Sequence, residues 1–359
     1  MNRKPTLAVV GATGAVGAVM LQLLSQHADV WGEIRLVASP RSAGRKLAVR
    51  GVETEVLALS EDVLEGVDLA LFLAPEDVAA RWAPIAAAKG AVVVDTSAAF
   101  RLDPDVPLVV PEINPHAVRV RPRGIVASPG CSTLALIVAV GALHAEFGVS
   151  ELVVTVQQAA SGGGQAGAAA LRRQLSLVAG TELGNHPGDV RRAVGEDTGP
   201  FPGPVALNVV PWSGVPMEDG WSSEELRVRH ETRKILDLPG LPVAATCVRV
   251  PVLTAHSVSV HARFEHPVTV GRAHEILATS PGVVLYDDPA AGDFPTPADV
   301  VGTDPTWVGR VRRSMDDERS LEFFVCGDNL RKGAALNAVQ IAEAVIRPER
   351  RERPEIDAH

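Results

Sequence analysis

Leu7-Ala8-Val9-Val10-Gly11-Ala12-Thr13-Gly14-Ala15-Val16-Gly17 is the stretch that decides the fold of this 359-residue chain. Four apolar residues stop at a glycine, which reads as a short buried parallel strand. Glycines at 11, 14 and 17 then open a helix predicted over 18–27. The spacing is a variant of the dinucleotide fingerprint, in which glycine supplies the turn's backbone angles and lets a pyrophosphate approach the helix N-terminus. A purely structural glycine-rich turn would spell the same letters. The strand–turn–helix context favours the nucleotide, with Gly11, Thr13, Gly14, Ala15, Val16 and Gly17 as the binding turn.

Working outward, strands are predicted over 34–38, 53–58, 68–74 and 91–95, with an Ala-rich helix over 78–89. Strand and helix alternate through about 130 residues, which predicts an α/β fold with a Rossmann-type doubly wound parallel sheet. The second strand runs into Ser39-Pro40-Arg41-Ser42, followed by Arg45 and Lys46 and no acid. NAD-specific folds place a carboxylate there for the ribose 2′-hydroxyl. Ser39, Arg41 and Ser42 instead suit a 2′-phosphate, so NADP is preferred to NAD, although a solvated basic turn has the same composition.

Beyond residue 130 the rhythm changes. A helix is predicted over 132–147 and a strand over 152–158. Residues 161–220 are rich in Gly and Pro and are expected to hold long loops. Segments 248–253, 257–264 and 321–325 suit antiparallel strands, 336–346 has helical spacing, and the charged tail from Arg347 is expected to fray.

The composition narrows the function. Asp and Glu outnumber Lys and Arg by 43 to 34, and the formal charge of −9 argues against broad nucleic-acid binding. The apolar run at 7–10 is too short for a signal peptide, and nowhere do 18 apolar residues run together, so a cytoplasmic protein without membrane contact is expected. Three scattered cysteines give neither a disulfide framework nor a metal-ligand spacing.

One of these cysteines has the setting of a nucleophile. Cys131, in Ser128-Pro129-Gly130-Cys131-Ser132-Thr133, directly precedes an apolar helix, whose dipole and free N–H groups favour thiolate. A depression of two units from 8.5 would leave about three-quarters of it ionised at pH 7. Cys247 and Cys326 lie in apolar strand contexts and read as core thiols. His256, just past the stretch Arg249-Val250-Pro251-Val252-Leu253-Thr254-Ala255, is the candidate proton-transfer partner. From pattern alone it equally fits a satisfied structural histidine.

Taken together, GATGAVG at 11–17, AFRLDPDVPLVVPEIN at 99–114, CST at 131–133, ETRKIL at 231–236, ATCVRVPV at 245–252, VGRVRR at 308–313 and DNLRKGAALNAVQIAE at 328–343 carry a resemblance. The chain is similar to the bacterial aspartate-semialdehyde dehydrogenases over nearly its whole length. That resemblance implies NADP-dependent, reversible reductive dephosphorylation of L-aspartyl-4-phosphate to L-aspartate-4-semialdehyde, in the synthesis of lysine, threonine and methionine. It makes Cys131 the nucleophile that forms a thioester, His256 the general acid/base and Gln158 the substrate-positioning glutamine. Arg249 would hold the substrate carboxylate, Glu224 its ammonium, and Arg101 and Arg227 its phosphoryl group; Ser161, Gly162 and Asn329 would line the cofactor. The implied architecture is a Rossmann domain from 1–130 and 330–359 enclosing a catalytic and dimerisation domain at 131–329, α+β with a mixed, largely antiparallel sheet. A homodimer or homotetramer is expected, with a small-molecule substrate and phosphate as partners. Gly130 departs from the family's usual asparagine, Arg227 from its lysine, and Pro75-Glu76 from a frequent Gly-Gly. These departures leave room for a paralogue acting on another acyl phosphate, and a catalytically silent homologue is the alternative of a different class.

Overall fold

The computed structural model describes residues 3–26 and 30–346; His27, at the expected end of the first helix, and the charged tail from Arg347 lie outside the described residues. The opening segment forms β1 (Leu7–Val10), α1 (Ala15–Gln26) and β2 (Ile34–Ala38). An antiparallel pair, β3 (Lys46–Val49) and β4 (Val52–Ala58), follows, then β5 (Leu69–Phe72), α2 (Glu76–Ala88), β6 (Val92–Asp95) and β7 (Ile125–Ala127). These strands make one seven-stranded sheet in the order β3-β4-β2-β1-β5-β6-β7, parallel except for β3. The continuous apolar run of β1 has a direct cause. Leu7 and Val9 enter one core, while Ala8 and Val10 enter another on the opposite face. A strand covered on both faces cannot alternate with polar residues.

The chain then enters α3 (Cys131–Phe147), which is apolar all round and enclosed between elements rather than lying on a surface. After it come β8 (Val149–Gln158), α4 (Gly164–Val178), α5 (Asp189–Val194), α6 (Ser223–Ile235), β9 (Val243–Arg249) and β10 (His256–Phe264). Next are α7 (Val270–Thr279), β11 (Val283–Leu285), α8 (Pro297–Val300), β12 (Thr306–Arg313) and β13 (Ser320–Gly327). The second sheet has six strands in the order β11-β12-β13-β10-β8-β9, antiparallel except at the β8–β9 and β11–β12 pairs. A π-helical turn over Arg331–Leu336 leads into α9 (Asn337–Ile346), whose Val339 and Ile341 join the core of β1 and α1. The last described helix therefore returns to the first sheet.

The doubly wound sheet and the mixed second sheet agree with the sequence reading, and local differences have identifiable causes. The strand expected at 248–253 runs instead over Val243–Arg249. Pro251 offers no N–H to a ladder, so pairing cannot continue through it. Residues 161–220 are not all loop. The glycines at 162–164 break the chain, but Leu171 and Val178 beyond them repeat at helical spacing and bury one face of α4.

Candidate active site

The N-terminus of α3, the C-terminal ends of β8 and β9 and the start of β10 meet at a cleft of about 370 Å³ between the two sheets. Cys131 is the first residue of α3, and its Sγ lies 3.2 Å from His256 Nε2. His256 opens β10 and is fully buried. Burial and the neighbouring Glu224 carboxylate push the Cys131 thiol up to about 11, against the opposing pull of Arg101 and Arg249. Burial, then the Arg249 charge, brings the His256 imidazolium down to about 3. Burial therefore pushes Cys131 toward the thiol and His256 toward the neutral imidazole, in the direction opposite to the thiolate expected from the helix terminus.

Each remaining candidate has a defined anchorage. Gln158, at the end of β8, donates from Nε2 to Ser132 Oγ at 2.7 Å, and its buried Oε1 has no partner among the described residues. Arg249 is 7 % exposed; it donates to Ala159 O at 2.7 Å and to Ser213 Oγ at 3.0 Å, and stacks over Phe201 at 5.1 Å from the ring centroid. Glu224 and Arg227, one turn apart on α6, form an ion pair, and Arg227 also reaches Glu76 at 3.5 Å across the cleft. Arg101 is the most committed. It donates to Glu231 Oε1 at 3.0 Å, Ser128 O at 3.0 Å and Thr96 O at 2.6 Å, which leaves two of its five N–H groups for the cleft.

Glu231 is absent from the sequence-derived set, yet it organises the nucleophile's helix. Only 1 % exposed, it accepts from Gly130 N at 2.8 Å, Thr133 Oγ1 at 2.7 Å and Arg101. The signal was present: Glu224, Arg227 and Glu231 are spaced i, i+3, i+7, one face of one helix. Gly130 is part of the same arrangement, since a Cβ there would sit 2.8 Å from Arg101 Nη1. Ser213 and Phe201 left no such trace, because they reach Arg249 from a loop.

The nucleotide end is separate. Gly11 has φ +93°, and a Cβ on it would lie 2.2 Å from Leu73 O; one on Gly17 would lie 2.5 Å from Ala12 O. A groove of about 510 Å³ runs beside Thr13 and Gly14 and is bounded by Arg45, Leu47 and Gln165. Ala15 and Val16 begin α1, while Ser39 and Arg41 are exposed past β2 and Ser42 is half-buried. Gly162 lines the catalytic cleft, and Ser161 and Asn329 are buried. Ser161 Oγ and Ala255 N both donate to Asn329 Oδ1, at 3.0 and 2.9 Å. Asn329 Nδ2 is buried without a protein acceptor among the described residues. A Cβ on Gly162 would lie 2.6 Å from Arg249 Nη1 and 3.2 Å from His256 Cε1. Gly162 therefore leaves no room for a side chain beside Arg249 and His256.

A Rossmann-type sheet joined to a second sheet, with a cysteine–histidine pair at the junction, is the fold of a nucleotide-binding protein. The family models for "Semialdehyde dehydrogenase, NAD binding domain" and "Semialdehyde dehydrogenase, dimerisation domain" match residues 6–120 and 140–332. The aspartate-semialdehyde dehydrogenase of Corynebacterium glutamicum is 44% identical over 349 residues, covering 95% of this chain and 99% of that protein. That of Streptomyces akiyoshiensis is 45% identical, covering 94% and 97%. The crystal structure of aspartate semialdehyde dehydrogenase II from Vibrio cholerae, complexed with ASA, superposes with a TM-score of 0.89 at 37% identity, covering 97% of this chain and 100% of that one. The chain belongs to the aspartate-semialdehyde dehydrogenase family.

Proposed function

We propose that this chain converts L-aspartyl-4-phosphate to L-aspartate-4-semialdehyde, reversibly and with NADP, through a thioester on Cys131. Arg249 carries the reading. It is a buried cation whose hydrogen bonds, among the described residues, go only to neutral groups, beside a cysteine–histidine pair. A buried charge calls for a counter-charge, and a substrate carboxylate supplies one with the planar geometry guanidinium favours. Glu224 takes the substrate ammonium, and Arg227 with the two remaining donors of Arg101 takes the phosphoryl group. Gln158, held by Ser132, directs an amide at the reacting carbonyl.

The glycine turn at 11–17, Ser39, Arg41 and Ser42 hold the dinucleotide, and Asn329 Nδ2 and Ser161 hold its nicotinamide end. When bound, the nicotinamide supplies hydride transfer. Cys131 attacks the aldehyde carbon, and phosphate later cleaves the acyl–sulfur bond, regenerating the thiol. NADP is preferred to NAD because Arg41 is exposed where an acid would otherwise stand. Residues 1–130 with 330–359 act as the nucleotide domain, and 131–329 as the catalytic domain.

The family's dimerisation-domain match and the open face of the second sheet support a homodimer. Val153, Ser259 and Phe324 lie on that face, opposite the side packed on α3. Among the described residues no helix is long and apolar enough to cross a membrane, in keeping with a cytoplasmic biosynthetic enzyme. The test is spectrophotometric: aspartate semialdehyde with NADP+ or NAD+, each with and without phosphate. Phosphate-dependent NADPH formation is expected; a clear preference for longer or N-acylated semialdehydes would overturn the substrate.

A further inference from the structure

We propose that Glu76 sets how tightly the cleft holds a phosphoryl group, by occupying the side of Arg227 that an incoming phosphate must take. Phosphate then binds by exchange against a carboxylate of the protein. The inference deepens the proposed function and rests on Arg227 as a ligand of the phosphoryl group.

Glu76 reaches the cleft because of where its helix starts. β5 ends at Phe72, and Pro75, its backbone fixed at φ −55°, stands directly before α2. Acids in the first turn of a helix are favoured by its dipole, and both Glu76 and Asp77 stand there. The two are not equivalent. Glu76 lines the cleft with Arg101, Cys131 and Arg227, whereas Asp77 does not. Either acid would serve the helix terminus, so that role does not account for the one that faces the cleft.

Arg227 carries a carboxylate on each end of its guanidinium, and the two are held differently. Glu224 lies on the same helix at i, i+3 and is half-buried. Glu76 comes from the opposite wall, with its Oε2 3.5 Å from Arg227 Nη2 and 59 % of its side chain exposed. That distance exceeds the roughly 2.7–2.9 Å of a charge-assisted hydrogen bond. The Glu224 contact is therefore the permanent one. The Glu76 contact is a pairing of charges that water can take over at small cost.

The consequence follows from charge. Hydrogen phosphate brings two charges to a guanidinium that Glu76 meets with one, and it also meets the free N–H groups of Arg101 in the same cleft. It therefore displaces the Glu76 carboxylate, which stays tethered to α2 beside the bound anion and repels it. A singly charged anion has no such margin over Glu76, so the exchange selects for the dianion. An entering acyl phosphate makes the same exchange. Glu76 thus weakens phosphate and acyl phosphate alike and leaves the equilibrium of the reaction untouched. An exposed pair is worth up to about fivefold in a binding constant, and with the repulsion added, removing the Glu76 charge should tighten phosphate by roughly three- to tenfold.

Glu76→Gln keeps the shape of this exposed side chain and removes its charge. With aspartate semialdehyde and NADP+ saturating, KM for phosphate should fall by that roughly three- to tenfold, while kcat stays within about twofold of the parent. KM for the other two substrates should not change. A KM for phosphate that is unchanged or higher overturns the proposal, as does a shift carried by KM for NADP+ instead. Binding is read separately, by 31P NMR titration of inorganic phosphate into the ligand-free protein. The same tightening is expected there, and no difference between parent and variant overturns the proposal. In an Arg227→Gln background the Glu76 substitution should alter phosphate affinity less than about twofold. A full-sized gain in that background would show repulsion without exchange at Arg227, and so also overturns it. Absence of turnover with aspartate semialdehyde in the unsubstituted protein would count against the proposed function alone, since the phosphate titration needs no other substrate.

Discussion

Gly162→Ala is the substitution whose effect can be worked most directly from the geometry. Gly162 does not occupy a left-handed conformation, so alanine meets no backbone penalty there. Its Cβ, however, would lie 2.6 Å from Arg249 Nη1, where carbon and nitrogen settle at roughly 3.4 Å, so something must move by about 0.8 Å. Arg249 cannot yield freely, because Ala159 O, Ser213 Oγ and the Phe201 ring hold its guanidinium. His256 Cε1, 3.2 Å from the same Cβ, blocks another direction. A displacement of about 1 Å at a positioning group costs on the order of 100-fold in rate, equivalent to about 2.7 kcal/mol of transition-state stabilisation. Overpacking should cost a further 1–3 kcal/mol of stability, roughly. The assay is kcat/KM for aspartate semialdehyde well below each variant's Tm, with thermal unfolding followed in parallel. If Gly162→Ala stays folded and within threefold of the parent, Arg249 does not hold substrate in the position assigned to it.

Three further outcomes follow from the same contacts. Iodoacetamide should modify the ligand-free protein at Cys131 at a rate that climbs about tenfold per pH unit from pH 7 toward 10, because the thiol titrates near 11; a plateau below pH 8 would contradict this. Glu231→Ala should lose roughly 3–5 kcal/mol in urea denaturation, since Arg101 stays largely buried without its carboxylate, and a loss below 1 kcal/mol would show that pair to be dispensable. His256, at about 3 folded against 6.5 unfolded, leaves the unfolded chain binding the extra proton between those values. Its contribution is therefore complete above pH 6.5 and falls by roughly 1.4 kcal/mol per unit as pH drops through that window. His256→Gln should flatten the stability curve by that slope, and an unchanged curve would refute the burial argument.

What was legible in the sequence follows the range of the interactions. The first strand, turn and helix are local: a buried run, then glycines at positions where any Cβ would strike Leu73 O or Ala12 O. Cys131 was visible for the same reason, since a helix start is announced by its immediate neighbours. Glu231 was half-visible, as its spacing from Glu224 marks a shared face but its partners, Gly130 and Arg101, lie 101 and 130 residues away. The hydrogen bond from Ala159 to His256 was invisible, because no residue letter records a backbone N–H. Its geometry comes from β8 and β10 pairing across 97 residues. The burial that pushes the Cys131 thiol up was not legible either, since a helix terminus read from sequence does not reveal it.

The total of −9 describes the surface and leaves the cleft to be argued residue by residue. Of its three arginines, Arg101 is matched by Glu231, and Arg227 by Glu224 and Glu76. Among the described residues, Arg249 alone of the three hydrogen-bonds only to neutral groups, and it is the one that stands against His256. Its field works on both members of the pair, opposing a proton on the imidazole and favouring ionisation of the thiol. A carboxylate arriving at Arg249 would cancel much of that field. The imidazole would then lose part of what keeps it neutral.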